Sequence, residues 1–393
     1  MPQLSTQQVM KRAWLTASAE SGRTHRPNPT IAITGLKATA VREPVSKRSS
    51  IIVRLSTDAG IEGLAEMPGG LDVRSTLAAV IKRKAEVIGR DAQGRQSLLW
   101  ELSQSDNSNT NSFLSALDIA LLDIAGKVSE APVYEVVSGA TRTKARALAR
   151  LDGSSERDLF KALDRASEAG HRAFIVPLLL PGEGIRGRQF YRDTRHLLER
   201  LREAAGEGSD FAIDCQGKLR PSQAAYLARE LEPFRLLWLD EPCKQTTNTA
   251  RQRIAAESVT PVGLGRMATG LEDFQAWLRS GSLDVVRPDV SLLGIDAIRK
   301  LAAHAETHYV AVAPVNTGGP IATASGLQVA ASIPNFFMQE IPLPQDAKDR
   351  AMRKELLSQD VESVKAGFLS LPTGPGLGIT LNEDAVKRYQ IAS

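Results

Sequence analysis

The chain has 393 residues, of which 42% are hydrophobic and 24% are charged, and its net charge of +4 is spread over short basic runs. This length and composition fit a globular protein larger than one ordinary domain. A basic charge without a clustered stripe argues against nucleic-acid binding and is compatible with an anionic small molecule. No apolar run is long enough to cross a membrane, which argues against a membrane protein.

The cysteines and the N-terminal segment indicate the cellular setting. Cys215 and Cys243 are too few for a disulfide framework, which favours a reducing compartment. Residues 1–30 are polar, contain Pro27 and Pro29, and lack the apolar core of a signal peptide. We therefore expect a flexible N-terminal arm and a cytoplasmic protein, with a second copy of itself as partner in a homo-oligomer.

Residues 31–140 have the pattern of an α+β domain. The segment "IAITGLKATAV" alternates apolar and polar residues, and "SSIIVRLSTDAGIEGLAEM" predicts a β-hairpin that turns at Asp58-Ala59-Gly60. Residues 115–129, "SALDIALLDIAGKVS", have the helical period instead. Three strands and then helices indicate a first domain separate from the rest of the chain.

Residues 141–364 repeat a short strand followed by an amphipathic helix. The strand-like segments are, in order, "ARALARL", "RAFIVPLLL", "DFAIDC", "RLLWLDEP", "TPVGLGR", "DVVRPD", "YVAVAPV" and "NFFMQE". This alternation predicts a closed, parallel α/β barrel of the TIM type, and apolar strands fit a sheet covered on both faces. Residues 365–393 are expected to leave the barrel and pack back on the first domain.

The residues that end the barrel strands are the first candidates for a site, because chemistry in such barrels lies at the C-terminal ends of the strands. Acids and one arginine dominate this rim. The candidates are Asp152, Ile175, Pro177, Asp214, Asp240, Glu241, Arg266, Asp289, Val315 and Glu340. Each acid has an alternative role as the cap of the helix that follows its strand.

At these strand ends the sequence resembles the enolase superfamily, in its mandelate racemase and muconate-lactonizing branch, with acid-sugar dehydratases such as galactonate dehydratase as close relatives. The resemblance extends over about residues 30–393 and includes "GIEGLAE", "ALLDIAGKVSEAPVYEVVSG" and "LPTGPGLGI". It implies a modified (β/α)₇β barrel under an N-terminal α+β capping domain. It also implies abstraction of a proton α to a carboxylate, with Mg²⁺ held by three carboxylates to stabilise the enolate.

The sequence departs from this family at the metal position. Asp214 matches the first metal ligand and Asp240 the second, and the third position, again 26 residues further on, is Arg266. The family implies Mg²⁺ as the cofactor, whereas an arginine at this position argues against it. We expect the guanidinium to take the place of the metal and to bridge the two aspartates. Two roles of the Arg266 guanidinium stay open. It could also face an anionic ligand and stabilise its charge, or it could only neutralise the two buried acids.

The usual bases of the family are absent as well. Ile175 and Pro177 stand where a lysine is found at the end of the second strand, and Val315 stands in the place of the histidine on the seventh strand. Asp289 matches the acid that pairs with that histidine. Glu340 matches the eighth-strand acid that contacts the substrate or the enolate, and we include both acids among the catalytic candidates.

Other residues near the rim extend the candidate site. Lys218, four residues after Asp214, is a possible base, and an exposed loop lysine is the alternative. Glu241 is a candidate for substrate binding and a possible acid–base group, or it could supply a ligand if the strand end shifted by one residue. Helix capping or a salt bridge is its alternative. Asn316 is a candidate for substrate binding. Cys215 and Cys243 are expected to be buried and inert.

Three loops are expected near the barrel mouth. The loops 42–50 and 66–72 of the capping domain should close over it. The first of them offers three cations for an anionic substrate, Arg42, Lys47 and Arg48. The "GEGIRG" motif at 182–187 matches a dinucleotide-binding pattern weakly, and we interpret it as a long loop after the second barrel strand.

These observations leave two functions open. The first is a dehydratase or racemase that acts on a hydroxy- or sugar-carboxylate in a rebuilt site. The second is a non-catalytic relative that binds a small organic acid or serves as an assembly partner, because membership of a fold family does not guarantee activity. The missing bases favour the second function, and the acids retained at the rim favour the first.

Overall fold

The computed structural model describes residues 31–70, 72–104, 110–180, 187–244, 248–268 and 270–391. The predicted arm at 1–30 and most of the "GEGIRG" loop lie outside these ranges. Within them, an antiparallel sheet with its helices is followed by a parallel barrel. Among the described residues, no helix combines the length and the apolar character that a membrane span needs. The cytoplasmic location and the homo-oligomer stay predictions.

The capping domain is built on three antiparallel strands, β1 (Ile33–Arg42), β2 (Ser49–Thr57) and β3 (Glu62–Pro68). The predicted hairpin is confirmed, and Gly60 at φ 71° provides the left-handed residue in its turn. The helices of this domain are α1 (Val73–Lys82), α2 (Lys84–Val87), α3 (Arg95–Ser103), α4 (Thr110–Val128) and α5 (Val133–Val137). The long helix α4 packs on β2 and β3 through its buried leucine and isoleucine face.

Eight parallel strands form the barrel, as the sequence predicts. They are β4 (Lys144–Arg150), β5 (Ala173–Pro177), β6 (Asp210–Asp214), β7 (Leu239–Asp240), β8 (Val262–Leu264), β9 (Val285–Val286), β10 (Ala311–Val312) and β11 (Gln339–Ile341). Each strand pairs with the next from β4 to β10. The ring closes because β11 pairs with β4 and Phe336, just before β11, bridges to Val312 of β10.

Seven helices connect these strands, which gives the (β/α)₇β arrangement. They are α6 (Glu156–Glu168), α7 (Arg188–Ala205), α8 (Pro221–Leu231), α9 (Asn248–Glu257), α10 (Leu271–Arg279), α11 (Val290–Glu306) and α12 (Pro320–Ser332). A 3₁₀ turn, Glu232–Phe234, follows α8. The inward-facing side chains fill the barrel with a compact cluster made of Leu148, Ala173, Ile175, Ala212, Trp238, Val285, Ala313 and Met338. The barrel is therefore a packed core whose open space lies at its ends.

The segment after the barrel contacts both domains. Its elements are α13 (Ala347–Glu355), β12 (Val364–Lys365), β13 (Phe368–Ser370) and α14 (Glu383–Tyr389). β13 pairs antiparallel with β4 of the barrel, so the segment first extends the barrel sheet. Further on, the buried carboxylate of Asp123 in α4 accepts hydrogen bonds from the amides of Leu64 and Leu377, both at 2.8 Å. The bond from Leu377 ties the C-terminal segment to the capping domain, and the bond from Leu64 holds β3 to α4.

The capping domain is joined to the barrel rim by a buried acid. Glu66 in β3 accepts hydrogen bonds from the amides of Gly319 (2.7 Å) and Ala322 (3.0 Å) at the start of α12. A carboxylate at a helix N-terminus satisfies free N–H groups and is favoured by the helix dipole. Because α12 follows β10, this contact places the capping sheet over the C-terminal end of the seventh barrel strand.

Candidate active site

A cavity of about 1210 Å³ opens at the C-terminal ends of β4, β6, β7 and β8. We call it the mouth cavity. Its charged lining residues are Arg150, Asp214, Lys218, Arg220, Glu241, Lys244, Arg266 and Asp273. Four predicted site residues, Asp214, Lys218, Glu241 and Arg266, are therefore brought together at one cavity. Among the described residues, five cations and three carboxylates line it, which suits an anionic ligand.

Arg266 does not bridge the two aspartates, so that expectation is wrong. Its guanidinium forms a forked pair with Glu340 of β11, with Nη1 at 3.0 and 2.9 Å from the two carboxylate oxygens and Nη2 at 3.0 Å from Oε1. The turn that brings it there depends on Gly265, at φ 124°, where a Cβ would lie 2.4 Å from the ring of Phe274. Arg266 thus reaches across the mouth to the eighth strand, because a better-placed carboxylate lies there.

Each aspartate has its own arginine instead. Asp214 pairs through Oδ2 with Arg150 of β4, and its Oδ1 accepts a hydrogen bond from the amide of Gln216 at 2.8 Å. Asp240 accepts hydrogen bonds at Oδ1 from Nε of Arg287 (3.1 Å) and Nε1 of Trp238 (2.8 Å). Asp240 Oδ2 is buried and has no hydrogen-bond partner in the part of the chain that the structure describes.

Arg287 lies at the centre of this arrangement. It is fully buried, lies over the ring of Trp238 with its Cζ 4.8 Å from the ring centroid, and donates a hydrogen bond from Nη1 to the carbonyl of Ala313 at 2.8 Å. Its Nη2 donates to Glu340 while its Nε donates to Asp240. One guanidinium therefore links the acids of β7 and β11 beneath the mouth cavity.

The arginines determine the charge of the acids that they contact. Burial alone raises the pKa of Glu340, but Arg266, Arg287 and Arg150 outweigh burial and lower that pKa to about 2. Burial raises the pKa of Asp240 to about 6, with Arg287 opposing burial and Asp214 adding to it. Glu340 is accordingly a fixed carboxylate at every ordinary pH.

Glu241 lines the mouth cavity and is held by the backbone at one carboxylate oxygen. Its backbone has φ 43°, an uncommon conformation for a residue with a side chain, and its Oε1 accepts hydrogen bonds from the amides of Gly265 (2.8 Å) and Arg266 (2.9 Å). Burial raises the pKa of Glu241, and the two amide hydrogen bonds oppose this shift. Within the described part of the chain, its Oε2 has no hydrogen-bond donor. The carboxylate is thus held firmly at one oxygen while it lines the cavity.

Two other lining residues behave as the sequence suggests. Lys218 is exposed, and its Nζ donates a hydrogen bond at 2.7 Å to Oε1 of Gln216, which also lines the cavity. Cys243 also lines the cavity, and burial raises its pKa to about 11, so its thiol is protonated at neutral pH and is a weak nucleophile. Cys215 is fully buried and equally free of disulfide bonding.

Asp289 and Asn316 do not line the mouth cavity, and their contacts are with nearby backbone amides and hydroxyl groups. Asp289 is the N-cap of α11 and accepts hydrogen bonds from the amides and hydroxyls of Ser291 and Thr317. Asn316 accepts a hydrogen bond from the amide of Gly318 at 2.9 Å and donates one to the hydroxyl of Thr323 at 2.7 Å. The helix-cap alternative therefore describes the contacts of Asp289.

The three cations of the capping loop also lie outside the mouth cavity. Arg42 donates a hydrogen bond to Ser49, Lys47 donates one to the carbonyl of Pro44, and Arg48 lies 3.6 Å from Glu43. Asp349 of α13 holds this loop by accepting hydrogen bonds from the amides of Val45 (2.7 Å) and Ser46 (2.8 Å). The loop is thus fixed to α13 rather than to the strand ends that carry Asp214 and Arg266.

Sequence reasoning missed Arg150 and Arg287, although a signal for both was present. Each lies two residues before the acid chosen as the end of its strand, Asp152 and Asp289. Side chains two residues apart on a strand point to the same face. The position two residues before each chosen acid was therefore also a candidate for the barrel mouth.

The fold is a (β/α)₇β barrel with an N-terminal capping domain and a charged cavity at its mouth. The chain belongs to the mandelate racemase / muconate lactonizing enzyme family. Residues 30–138 match the N-terminal domain of that family, and residues 161–385 match the enolase C-terminal domain-like model.

Individual relatives agree with this assignment. The chain is 29% identical over 365 residues to a D-xylonate dehydratase of Haloferax volcanii, which covers 87% of this chain and 85% of the relative. It is 28% identical over 349 residues to a D-galactonate dehydratase of Pectobacterium atrosepticum, with 86% and 90% covered. A mandelate racemase/muconate lactonizing enzyme-like protein from Rubrobacter xylanophilus superposes with a TM-score of 0.81 at 24% identity, with 92% and 98% covered.

Members of the enolase superfamily typically use Mg²⁺, so we tested whether these residues fit one. Among the described residues, no group of three or more His, Cys, Asp and Glu side chains is arranged to hold a metal ion. Both oxygens of Asp214 accept hydrogen bonds, and among the described residues the carboxylate oxygens of the mouth without a donor are Oδ2 of Asp240 and Oε2 of Glu241. Mg²⁺ needs oxygen ligands in octahedral geometry, and two free oxygens on two acids beside three guanidinium groups do not provide it. The residues present do not fit the ion.

Proposed function

We propose that this protein binds a hydroxy- or sugar-carboxylate in the mouth cavity and removes the proton α to its carboxylate, in a dehydratase- or racemase-type reaction. The names of the relatives, D-xylonate dehydratase and D-galactonate dehydratase, support this substrate class. The observation that carries the proposal is that Arg266, Glu241 and Lys218 line one cavity. Together they offer a fixed cation, a carboxylate and an ammonium group to one ligand.

The roles follow from the chemistry of these groups. The Arg266 guanidinium stays protonated and would stabilise the negative charge that develops on the substrate carboxylate as it becomes an enediolate. Glu241 would accept the α proton at Oε2, and the electron pair of the broken C–H bond would enter the enediolate. In a dehydration, Lys218 would then protonate the β-hydroxyl, which leaves as water while the enediolate collapses to an enol that tautomerises to a keto acid.

A second function is favoured by a specific observation, the neutralisation of Asp214, Asp240 and Glu340 by arginines. A site whose inherited acids are all paired can bind a small organic acid without turning it over. In that case Glu241 would mainly hold the end of β8 through its two backbone hydrogen bonds.

One experiment separates the two functions. The protein is incubated in D₂O with D-xylonate, D-galactonate and other aldonates and aldarates, and deuterium at C2 and keto-acid product are followed by NMR. We expect exchange or product with at least one acid, and a loss of about 10²- to 10⁴-fold in Glu241→Gln, because general base catalysis is worth that much.

Ligand binding is measured in parallel by the melting temperature. An acid that stabilises the protein without exchange or product would contradict the enzymatic proposal and support the binding function. If no acid of the panel stabilises the protein or reacts, both functions are wrong. Glu241→Gln keeps an oxygen that can accept the two backbone hydrogen bonds, so it tests proton transfer with little change in the fold.

A further inference from the structure

We propose that three guanidinium groups, those of Arg150, Arg266 and Arg287, together take the place of a divalent cation in the barrel mouth, so that this site holds its carboxylates without metal. The proposal concerns the resting protein and does not depend on turnover. It assigns the substitution to a cluster that crosses the mouth, rather than to the single arginine at the third ligand position.

The first argument is the occupancy of the carboxylate oxygens. Asp214 uses one oxygen for Arg150 and the other for a backbone amide. Glu340 receives hydrogen bonds at both oxygens from Arg266 and a further one from Arg287. Asp240 gives one oxygen to Arg287 and Trp238 and keeps one free. A cation entering the site would have to displace charged hydrogen bonds from at least one acid.

The second argument is the permanence of the positive charge. Arginine is not deprotonated at any working pH, so alkaline conditions do not release the carboxylates from the guanidinium groups. The planar guanidinium also donates its hydrogen bonds in fixed directions, so each pair with a carboxylate has a defined geometry. An ammonium group would not fix the carboxylate in this way. A dication approaching Asp240 Oδ2 would meet the Arg287 guanidinium on the same carboxylate, and that repulsion is strong in a buried site.

The third argument is the topology of the pairs. The arginines come from the ends of β4, β8 and β9, and the acids come from β6, β7 and β11. None of the pairs joins neighbouring strands: Arg150 reaches past β5, Arg287 past β8, and Arg266 across to β11. A metal ion would gather acids from several strands at one point. Here the guanidiniums make the equivalent cross-links by spanning the mouth.

The test is metal binding, measured without any assay of activity. Wild-type protein is titrated with Mn²⁺ by electron paramagnetic resonance and by calorimetry, and its melting temperature is recorded in EDTA and in millimolar Mg²⁺. We expect no stoichiometric binding of Mn²⁺. We also expect the melting temperatures in EDTA and in Mg²⁺ to differ by less than about 1 °C, because a ligand whose Kd exceeds its concentration stabilises a protein little. One Mn²⁺ bound per chain with a Kd below about 0.1 mM would overturn the proposal.

A double variant, Arg150→Met with Arg266→Glu, provides the converse test. It frees Asp214 and places a third carboxylate at β8, so we expect it to bind Mn²⁺ at least about 10-fold more tightly than wild type. The control is Arg220→Met with Lys244→Glu, which changes the charge of the same cavity equally without touching the acids.

Circular dichroism and gel filtration establish that both double variants are folded. A folded Arg150→Met/Arg266→Glu protein that binds Mn²⁺ no better than the control contradicts the cluster assignment. If that variant does not fold, the wild-type titration still decides the question. Absence of turnover would count against the proposed enzymatic function alone, because no arm of this test measures activity.

Discussion

This protein has two clusters in which arginines contact buried acids, and the clusters differ in how many of their polar atoms have hydrogen-bond partners. The first, which we call the junction cluster, lies where the two domains meet and consists of Arg353 of α13, Glu43 and Glu362. Arg353 donates hydrogen bonds from Nε and Nη2 to Glu362 at 2.9 and 2.6 Å. Its Nη1 donates to Glu43 at 3.2 Å and to the carbonyl of Gly318 at 3.1 Å. In the mouth, among the described residues, Arg150 Nη1 has no acceptor and Asp240 Oδ2 has no donor.

The difference teaches that buried charge by itself does not identify a functional site. In the junction cluster every side-chain nitrogen of Arg353 is paired, and Arg353 joins Glu43 of the capping domain to α13 and the barrel rim. The mouth cluster consists of three arginines and the three acids that they contact, Arg150, Arg266, Arg287, Asp214, Asp240 and Glu340. It contains polar atoms without a hydrogen-bond partner among the described residues, and it lies beside a cavity of about 1210 Å³. Buried polar groups in proteins are nearly always paired, so unfilled ones next to open space indicate a place for water or ligand. Substitutions in the two clusters can break or sharpen this contrast.

The largest effect is expected from Arg353→Met. It would leave Glu43 and Glu362 buried without their common cation, and unpaired buried charges cost about 3–5 kcal/mol of unfolding free energy. Urea unfolding measures the loss. The control is the neighbouring Lys354→Met, which removes an exposed pair with Asp360 at 3.6 Å and should change stability by less than about 0.5 kcal/mol. Equal effects of the two variants would contradict the structural role of the junction cluster.

The second prediction concerns pH and the junction cluster. His171 shares a cavity with Arg353 and Glu362, and burial lowers its pKa to about 4, with Glu362 opposing the shift. The folded protein therefore favours neutral His171. Above the unfolded pKa near 6.5, the histidine is neutral in both states and the unfolding free energy is not reduced. As the pH falls towards 4, the unfolded chain binds a proton that the folded protein does not, and the unfolding free energy decreases by up to about 3 kcal/mol.

The check for His171 is the unfolding free energy of wild type and His171→Leu from pH 7 to 4.5. We expect the wild-type curve to fall more steeply below pH 6.5 than the variant curve. The control His196→Leu removes an exposed histidine. Its curve should run parallel to that of wild type, and parallel curves for all three proteins would count against a buried neutral His171.

A smaller effect on stability is expected from Arg266→Met in the mouth cluster. Glu340 keeps Arg287 as a partner, so the loss should be about 1–3 kcal/mol, the cost of hydrogen bonds to a charged group. The same variant should abolish the stabilisation of the protein by a sugar acid, which thermal unfolding measures. If Arg266→Met leaves ligand binding intact, the mouth cluster is structural like the junction cluster.

The smallest effect on stability is expected from Lys218→Met, within about 0.5 kcal/mol, because this side chain is exposed. On the proposed mechanism, its turnover should nevertheless fall by about 10²-fold, the lower end of general acid–base catalysis. The control Lys244→Met, on the same cavity, should keep turnover near the wild-type rate. Equal rates for Lys218→Met and wild type would remove Lys218 from the catalytic residues.

The sequence by itself determined the architecture. Alternating apolar strands, amphipathic helices and a turn at Asp58-Ala59-Gly60 are local patterns, and each follows from the period of a strand or helix or from the conformational freedom of glycine. The same local logic placed Asp214, Lys218, Glu241 and Arg266 at one end of the barrel, because the ends of parallel strands share an edge.

Only the tertiary structure decided which charges meet. Arg266 and Glu340 are 74 residues apart, Arg150 and Asp214 are 64 apart, and Arg287 and Asp240 are 47 apart. An arginine side chain is long enough to pass a neighbouring strand, so its partner depends on the curvature of the closed sheet and on competition among acids. No local pattern encodes that competition. The sequence therefore predicted a bridge between two aspartates, whereas in the folded protein Arg150 pairs with Asp214, Arg266 pairs with Glu340, and Arg287 links Asp240 to Glu340.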